Sequence, residues 1–177
     1  MILFIGGVRS GKSALAEKWI ECRAAKRLYL ATGKADDPEM ALRIEKHRAR
    51  RGTEWRSLEE ALEPEKALRE FTLRNTEKCA ILLDCISAWI GNLLERGLTC
   101  DEILKMAEAL FGWLKSLPNF VALVSLECNL GIIPPNELAR RYMDILGLVN
   151  QLAARQCETV CFVCCGLPLC LKGELSQ

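Results

Sequence analysis

Residues 2–13 read Ile2-Leu3-Phe4-Ile5-Gly6-Gly7-Val8-Arg9-Ser10-Gly11-Lys12-Ser13. Four apolar residues predict a buried strand, and the amphipathic stretch over 13–25 predicts a helix after the glycines. Between them lies the pattern G-x-x-x-x-G-K-[ST], in the strand–loop–helix setting its chemistry requires. Glycines let the backbone curl until successive N–H groups converge on a phosphate, beside the positive end of the following helix. Lys12 is expected to face solvent and to reach β- and γ-phosphates as a point charge. Ser13 is expected to offer its hydroxyl to Mg²⁺. The expected ligand is a nucleoside triphosphate, held by Gly6, Gly7, Val8, Arg9, Ser10, Gly11, Lys12 and Ser13.

Outward from this loop, apolar runs alternate with amphipathic stretches, which predicts α/β architecture with a mainly parallel sheet. Further strands are expected at 27–31, 80–84, 120–126 and 159–165, apolar on both faces as in strands covered by helices on each side. A short segment over 167–172 is expected to add an edge. Asp37-Pro38 reads as the start of a helix over 38–51. Ser57…Glu60 and Thr99…Glu102 have capping-box spacing, which predicts helices over 58–70 and 100–116. Helices are also expected over 85–96 and over 136–156, the second after Pro134-Pro135. No repeat, low-complexity segment or linker interrupts the pattern, so residues 1–177 are read as one domain.

Composition narrows the function classes. Of 177 residues, half are apolar and 27% charged, enough to bury a core without staples. Lys plus Arg number 24 and Asp plus Glu 23, a net charge of +1 that argues against a broad nucleic-acid surface. No apolar run approaches the length of a membrane span, and the N-terminus has no basic region or cleavage site of a secretion signal. The ten cysteines are therefore expected as thiols in a reducing, cytoplasmic setting. The run Cys161-Phe162-Val163-Cys164-Cys165 is apolar and strand-like, and its cysteines read as small buried residues rather than metal ligands.

Two places beyond the loop carry chemistry. Asp84 ends the apolar run of 80–83, and ligands of open α/β sheets gather at the carboxyl ends of strands. It is expected to orient Mg²⁺, with a helix-capping role as the alternative. Glu127 stands in the same relation to the strand over 120–126. Residues 43–56 carry six basic and two acidic side chains around the chain's single histidine, His47. On a helix, Arg43 and Arg50 flank His47, and like charge opposes protonation of its ring. From pattern alone this is either a phosphate-holding nucleophile or a solvated basic helix.

The loop GGVRSGKS, the stretch DDPEMALRIEKHRARRGTEWRSLEE and the segment LLDCISAWIGNLL lie in the first half of the chain. The run GIIPPNELARRYMDILGLVNQLAA and the tail GLPLCLKGEL lie in the second. Together they resemble the bifunctional adenosylcobinamide kinase/adenosylcobinamide-phosphate guanylyltransferase family of cobalamin biosynthesis. The resemblance implies a P-loop, RecA-like three-layer domain that assembles as a homotrimer. It implies a kinase step on the aminopropanol hydroxyl of the corrinoid with ATP or GTP. A transfer of GMP from GTP through a guanylylated histidine, here His47, would follow. It also assigns Ala31, Thr32, Gly33, Arg48, Ala49, Arg50 and Arg51 to the nucleotide, and Glu59 and Asp84 to GTP. Arg140 and Arg141 on the long helix are expected to serve a neighbouring subunit.

Two stretches depart from the family pattern. Leu126-Glu127-Cys128-Asn129 keeps only the glutamate of a commoner N-E-V-G, with Asn129 expected to take the left-handed backbone of the turn. Cys165 and Cys170 stand where polar or basic residues are frequent. Two other function classes remain open to the residues alone: a P-loop small-molecule kinase without a covalent intermediate, and a RecA-like regulatory NTPase.

Overall fold

A computed structural model describes residues 1–34, 45, 52–75 and 78–175. Seven strands form one sheet: β1 (Ile2–Gly6), β2 (Arg27–Ala31), β3 (Trp55–Glu59), β4 (Ala80–Asp84), β5 (Val121–Leu126), β6 (Thr159–Cys164) and β7 (Leu167–Lys172). Their order is β3-β2-β4-β5-β1-β6-β7. Every pairing is parallel except β6 with β7. The helices among the described residues are α1 (Lys12–Glu21), α2 (Pro64–Arg74), α3 (Ile86–Glu95), α4 (Cys100–Ser116) and α5 (Glu137–Gln156).

Strand side chains point alternately to two faces, and along the central strands both faces are buried. Ile2, Phe4, Tyr29, Leu82, Val124, Cys161 and Val163 pack with Ala16 and Ile20 of α1. Leu3, Ile5, Leu30, Leu83 and Leu123 join Trp89, Phe111, Leu146 and Val149 from the helices on the other face. The result is three layers, and every parallel strand ends on the same edge of the sheet. Capping follows local chemistry. Thr99 and Glu102 make the reciprocal box expected for α4. Asn136 Oδ1 accepts from the Ala139 N–H, 3.0 Å away, to open α5.

The expected helix over 58–70 is corrected. Residues 55–59 are β3, with Ser57 beside Tyr29 of β2, and the helix begins only at Pro64. Glu60 does not cap a helix begun by Ser57. Its Oε1 accepts from the N–H groups of Leu62 and Glu63, at 2.8 and 3.0 Å, and shapes the turn into α2. Tertiary burial of Trp55, whose ring meets Tyr29 edge-on at 6.1 Å, outweighs the capping-box signal. The expected helix over 38–51 lies outside the described residues.

Candidate active site

The glycine-rich loop links β1 to α1 at the carboxyl edge. Two of its residues, Arg9 (φ 57°) and Gly11 (φ 94°), take left-handed backbone, which turns neighbouring N–H groups inward. Gly11 is required twice over, because a Cβ there would also lie 3.0 Å from Gly166 Cα. The loop rests on the β6–β7 turn: the Gly166 N–H donates to the Ser10 carbonyl at 2.8 Å. A Cβ on Gly6 would collide with the Val163 carbonyl oxygen.

Lys12 corrects an expectation. It is buried, only 8% exposed, and its Nζ donates to the Gly7 carbonyl at 3.0 Å. The ammonium therefore folds back over the loop. Ser10 is equally buried, and its Oγ has no hydrogen-bond partner among the described residues. A buried hydroxyl left unsatisfied in a phosphate-type loop is a donor held ready for a ligand oxygen. Val8 and Arg9 are exposed at the loop's crown, and Ser13 is half-buried at the start of α1.

Asp84 ends β4, level with Ala31 of β2, which is in turn level with Glu59 of β3. Its Oδ2 accepts a 2.8 Å hydrogen bond from the Tyr29 hydroxyl, a partner the sequence reading missed. The available signal was a lone hydroxyl within the buried run Leu28-Tyr29-Leu30. Asp84 does not cap α3. That role falls to Cys85, whose Sγ accepts from the Ala88 N–H at 3.4 Å. Burial pushes the Cys85 thiol up, and the Asp84 carboxylate adds to the effect. Bonds from Ser87 and Ala88 and the charge of Lys12 oppose it. Lys12 opens α1 just after β1 and Asp84 closes β4, so loop lysine and strand-end carboxylate stand at the same edge of the sheet.

Thr32 is fully buried, and its hydroxyl is spent on structure. Oγ1 donates to the Cys85 carbonyl at 2.6 Å and accepts from the Cys85 N–H at 3.0 Å. The Thr32 carbonyl accepts from Asn92 Nδ2 at 2.7 Å. Thr32 therefore pins the ends of β2 and β4 together, while Gly33 beside it borders open space. Glu59 is exposed at the end of β3.

Glu127 follows β5 and adjoins the loop, its N–H donating to the Gly6 carbonyl at 3.0 Å. The turn is kept without left-handed backbone at Asn129, which among the described non-glycine residues occurs only at Arg9 and Cys165. The turn is held instead by Glu127 Oε1, which accepts from the Asn129 N–H at 2.6 Å. Arg140 donates to the carbonyls of Pro134 and Pro135, and Arg141 to that of Leu98. The cysteines of the run 161–165 are also corrected, since only Cys161 is buried while Cys164 and Cys165 are exposed at the hairpin turn. Arg43, His47, Arg48, Ala49, Arg50 and Arg51 lie outside the described residues.

The site as built holds a phosphate loop, a buried lysine and a strand-end carboxylate on one edge. Known proteins similar in sequence give this chain its family. The family described as "Cobinamide kinase / cobinamide phosphate guanyltransferase" matches residues 2–171. The bifunctional adenosylcobalamin biosynthesis protein CobP of Pseudomonas aeruginosa is 43% identical over 175 residues, covering 97% of each chain. Proteins named bifunctional adenosylcobalamin biosynthesis protein CobU are similar as well. That of Escherichia coli is 35% identical over 184 residues and that of Salmonella typhimurium 36% over 189. Both alignments cover 97% of this chain and 99% of the relative.

Proposed function

This chain belongs to the cobinamide kinase / cobinamide phosphate guanyltransferase family, and on that premise we propose how its residues divide the two reactions. The observation that carries the reading is the convergence of Lys12, Ser10 and Asp84 at one sheet edge, within a family match spanning residues 2–171. ATP or GTP binds with its triphosphate in the loop of residues 6–13. The corrinoid's aminopropanol hydroxyl attacks the γ-phosphorus, the bond to the β-phosphate oxygen breaks, and the nucleoside diphosphate leaves. Lys12 and the loop N–H groups meet the charge that spreads over the transferring phosphoryl group.

Ser13 and Asp84 offer only hard oxygen donors, which suits Mg²⁺. When bound there, the ion supplies neutralisation of the triphosphate charge. Tyr29 fixes one carboxylate oxygen of Asp84 by its 2.8 Å bond.

In the second reaction His47 attacks the α-phosphorus of GTP and pyrophosphate leaves, giving guanylyl-histidine. The phosphate of the corrinoid then attacks that phosphorus, the N–P bond breaks, and the product carries a GDP unit. Covalent catalysis of this kind divides one difficult displacement into two. Arg48, Arg50 and Arg51 stabilise the pyrophosphate, with Ala49 lining the same stretch. Glu59 accepts from guanine N1–H and N2–H₂, two adjacent donors suited to one carboxylate. Ala31 and Gly33 border the nucleotide. The working form is a homotrimer, and the nucleotides used and the ten unlinked cysteines fit the cytoplasm.

The test is the covalent step. His47 is the only histidine, so a phosphoramidate on imidazole has one place to form. Incubation with GTP and Mg²⁺ should add one GMP to the intact mass, labile in acid and stable in base. His47→Asn should abolish the adduct and guanylyl transfer while leaving phosphorylation of cobinamide. An acid-stable adduct, or one that survives in His47→Asn, would place the nucleophile elsewhere. Kinase turnover with no adduct at all would make this a plain P-loop kinase.

A further inference from the structure

Five of the ten cysteines fall between residues 157 and 170, and the reactions above use none of them. The hairpin that carries four of these five has a two-residue loop, Cys165-Gly166, with φ of 53° and 78°. Two consecutive positive φ values make the mirror-image turn that suits strand twist. Such a turn is closed by a hydrogen-bonded pair, here Cys164 with Leu167. Bonded and non-bonded pairs alternate along an antiparallel ladder. Val163–Pro168 is therefore non-bonded, so the missing N–H of Pro168 costs no ladder bond. Phe162–Leu169 is bonded, and Cys161–Cys170 is again non-bonded.

The non-bonded position brings side chains closest, with Cα atoms about 4.5 Å apart. A disulfide spans Cα separations of roughly 4.4–6.8 Å. The Cys161 and Cys170 sulfurs already lie 3.2 Å apart. The neighbouring Cys164–Cys165 contact, at 3.8 Å, does not compete. Consecutive Cα atoms sit about 3.8 Å apart, below the disulfide range.

We propose that Cys161 and Cys170 are a modification site: a reversible cross-strand disulfide, formed with a low-molecular-weight disulfide, that clips edge strand β7 to the sheet. Accessibility sets the order of events. Cys170 is exposed, and its thiolate attacks one sulfur of the small disulfide, breaking that S–S bond and releasing one small thiolate. Cys161 is fully buried, and burial together with the Cys170 contact pushes its thiol up, which disfavours it as the first nucleophile. Once Cys170 carries the mixed disulfide, Cys161 gives its proton to solvent and its sulfur attacks Cys170 Sγ. The second small thiolate leaves. Two protein thiols and one small disulfide become one protein disulfide and two small thiols, so atoms and electrons balance.

The clip lies where it matters mechanically. Strand β7 is exposed along its whole length and, among the described residues, paired on one side only, to β6. The turn between those two strands bears the phosphate loop through the bond from Gly166 to Ser10. Oxidation ties that support across both strands, and reduction leaves it to the ladder and to the bonds of Lys172 with the carbonyls of Ala154, Arg155 and Cys157.

The experiment treats the whole native protein with oxidised glutathione, blocks remaining thiols, and maps it unreduced with chymotrypsin, which cuts after Phe162 and Leu169. The expected result is a linked peptide pair joining Cys161 to Cys170, reversed by dithiothreitol, with a melting temperature raised by about 3 °C or more. Cys170→Ser, at an exposed position, should lose both the linkage and the rise. The double variant Cys164→Ser/Cys165→Ser should keep both. The proposal is overturned if Cys170 stops at the mixed glutathione disulfide, if the linkage joins other cysteines, or if the clipped protein melts no higher.

Discussion

Gly6→Ala separates a steric requirement of the phosphate loop from its chemistry. Neither Gly6 nor Gly7 has left-handed backbone, so an alanine at either meets no conformational penalty of that kind. At Gly6 the added Cβ would overlap the Val163 carbonyl oxygen and lie 2.9 Å from Ser10 Oγ and 3.2 Å from the Val163 carbonyl carbon. Two of those three atoms are backbone and cannot rotate away. Relief requires β1 and β6 to part, although they are paired through Ile5 and Phe162. Overpacking of this kind costs roughly 1–3 kcal/mol. At about 2–4 °C per kcal/mol for a chain of this size, the melting temperature should fall by roughly 2–12 °C. The same displacement moves Ser10 and its bond to Gly166, so GTP affinity should fall about tenfold or more. Gly7→Ala is the control, because nothing lies within 4 Å of its Cβ. It should melt within about 2 °C of the parent, with any stabilisation arising from the unfolded chain. Calorimetric melting and GTP titration of both variants decide the matter. A Gly6→Ala protein that melts and binds like the parent would show that the hairpin does not seat the loop.

Lys12→Ala should slow phosphoryl transfer by about 10²-fold or more, read as kinase turnover. Because Lys12 is buried and bonded to Gly7, its loss should also lower the melting temperature slightly. Tyr29→Phe removes the donor to Asp84 and nothing bulky. It should lower kinase kcat by about tenfold with the KM for GTP unchanged, since a hydrogen bond to a charged group is worth about 1.5–3 kcal/mol. Unchanged kcat would leave the Tyr29–Asp84 bond with no part in catalysis. Glu59→Gln replaces one acceptor oxygen with a donor that opposes guanine. It should reduce kcat/KM for GTP in guanylyl transfer by about tenfold or more, while ATP-dependent phosphorylation is retained.

The parallel core was legible because its signals are local. Strands 27–31 and 80–84 are observed at their expected bounds, and the 120–126 and 159–165 strands lose one residue each. All four are apolar runs with polar or turn residues at their ends. Helix α4 was legible because Thr99 and Glu102 satisfy each other without help from elsewhere. Strand β3 was not, because Trp-Arg-Ser-Leu-Glu has no apolar run. Pairing with β2 and the burial of Trp55 make it a strand, and Ser57 offered a capping pattern in competition. The site divides the same way. Residues 6–13 and Asp84 announce themselves by spacing and position. Tyr29 does not, because a tyrosine in a strand usually reads as core, and only register brings its hydroxyl to Asp84.

The loop itself shows how far local reading reaches. Its consensus names which residues bind phosphate, but not what holds the loop in shape. Gly6 and Gly11 are both pressed by the β6–β7 hairpin, through Val163 and Gly166, from the far end of the chain. A consensus glycine is commonly explained by its backbone freedom, and at Gly11, with φ 94°, that explanation holds. At Gly6 it does not. There the requirement is the absence of a side chain under a neighbouring strand. The loop therefore depends on residues that any local motif omits, and Gly166 is coupled to Ser10 as closely as Gly7 is. Strand β7 completes the hairpin at a sheet edge that nothing else among the described residues pairs. The shape of the loop after β1 thus rests on the stability of that edge, which is why a covalent tie between β6 and β7 would bear on the loop although neither cysteine belongs to it.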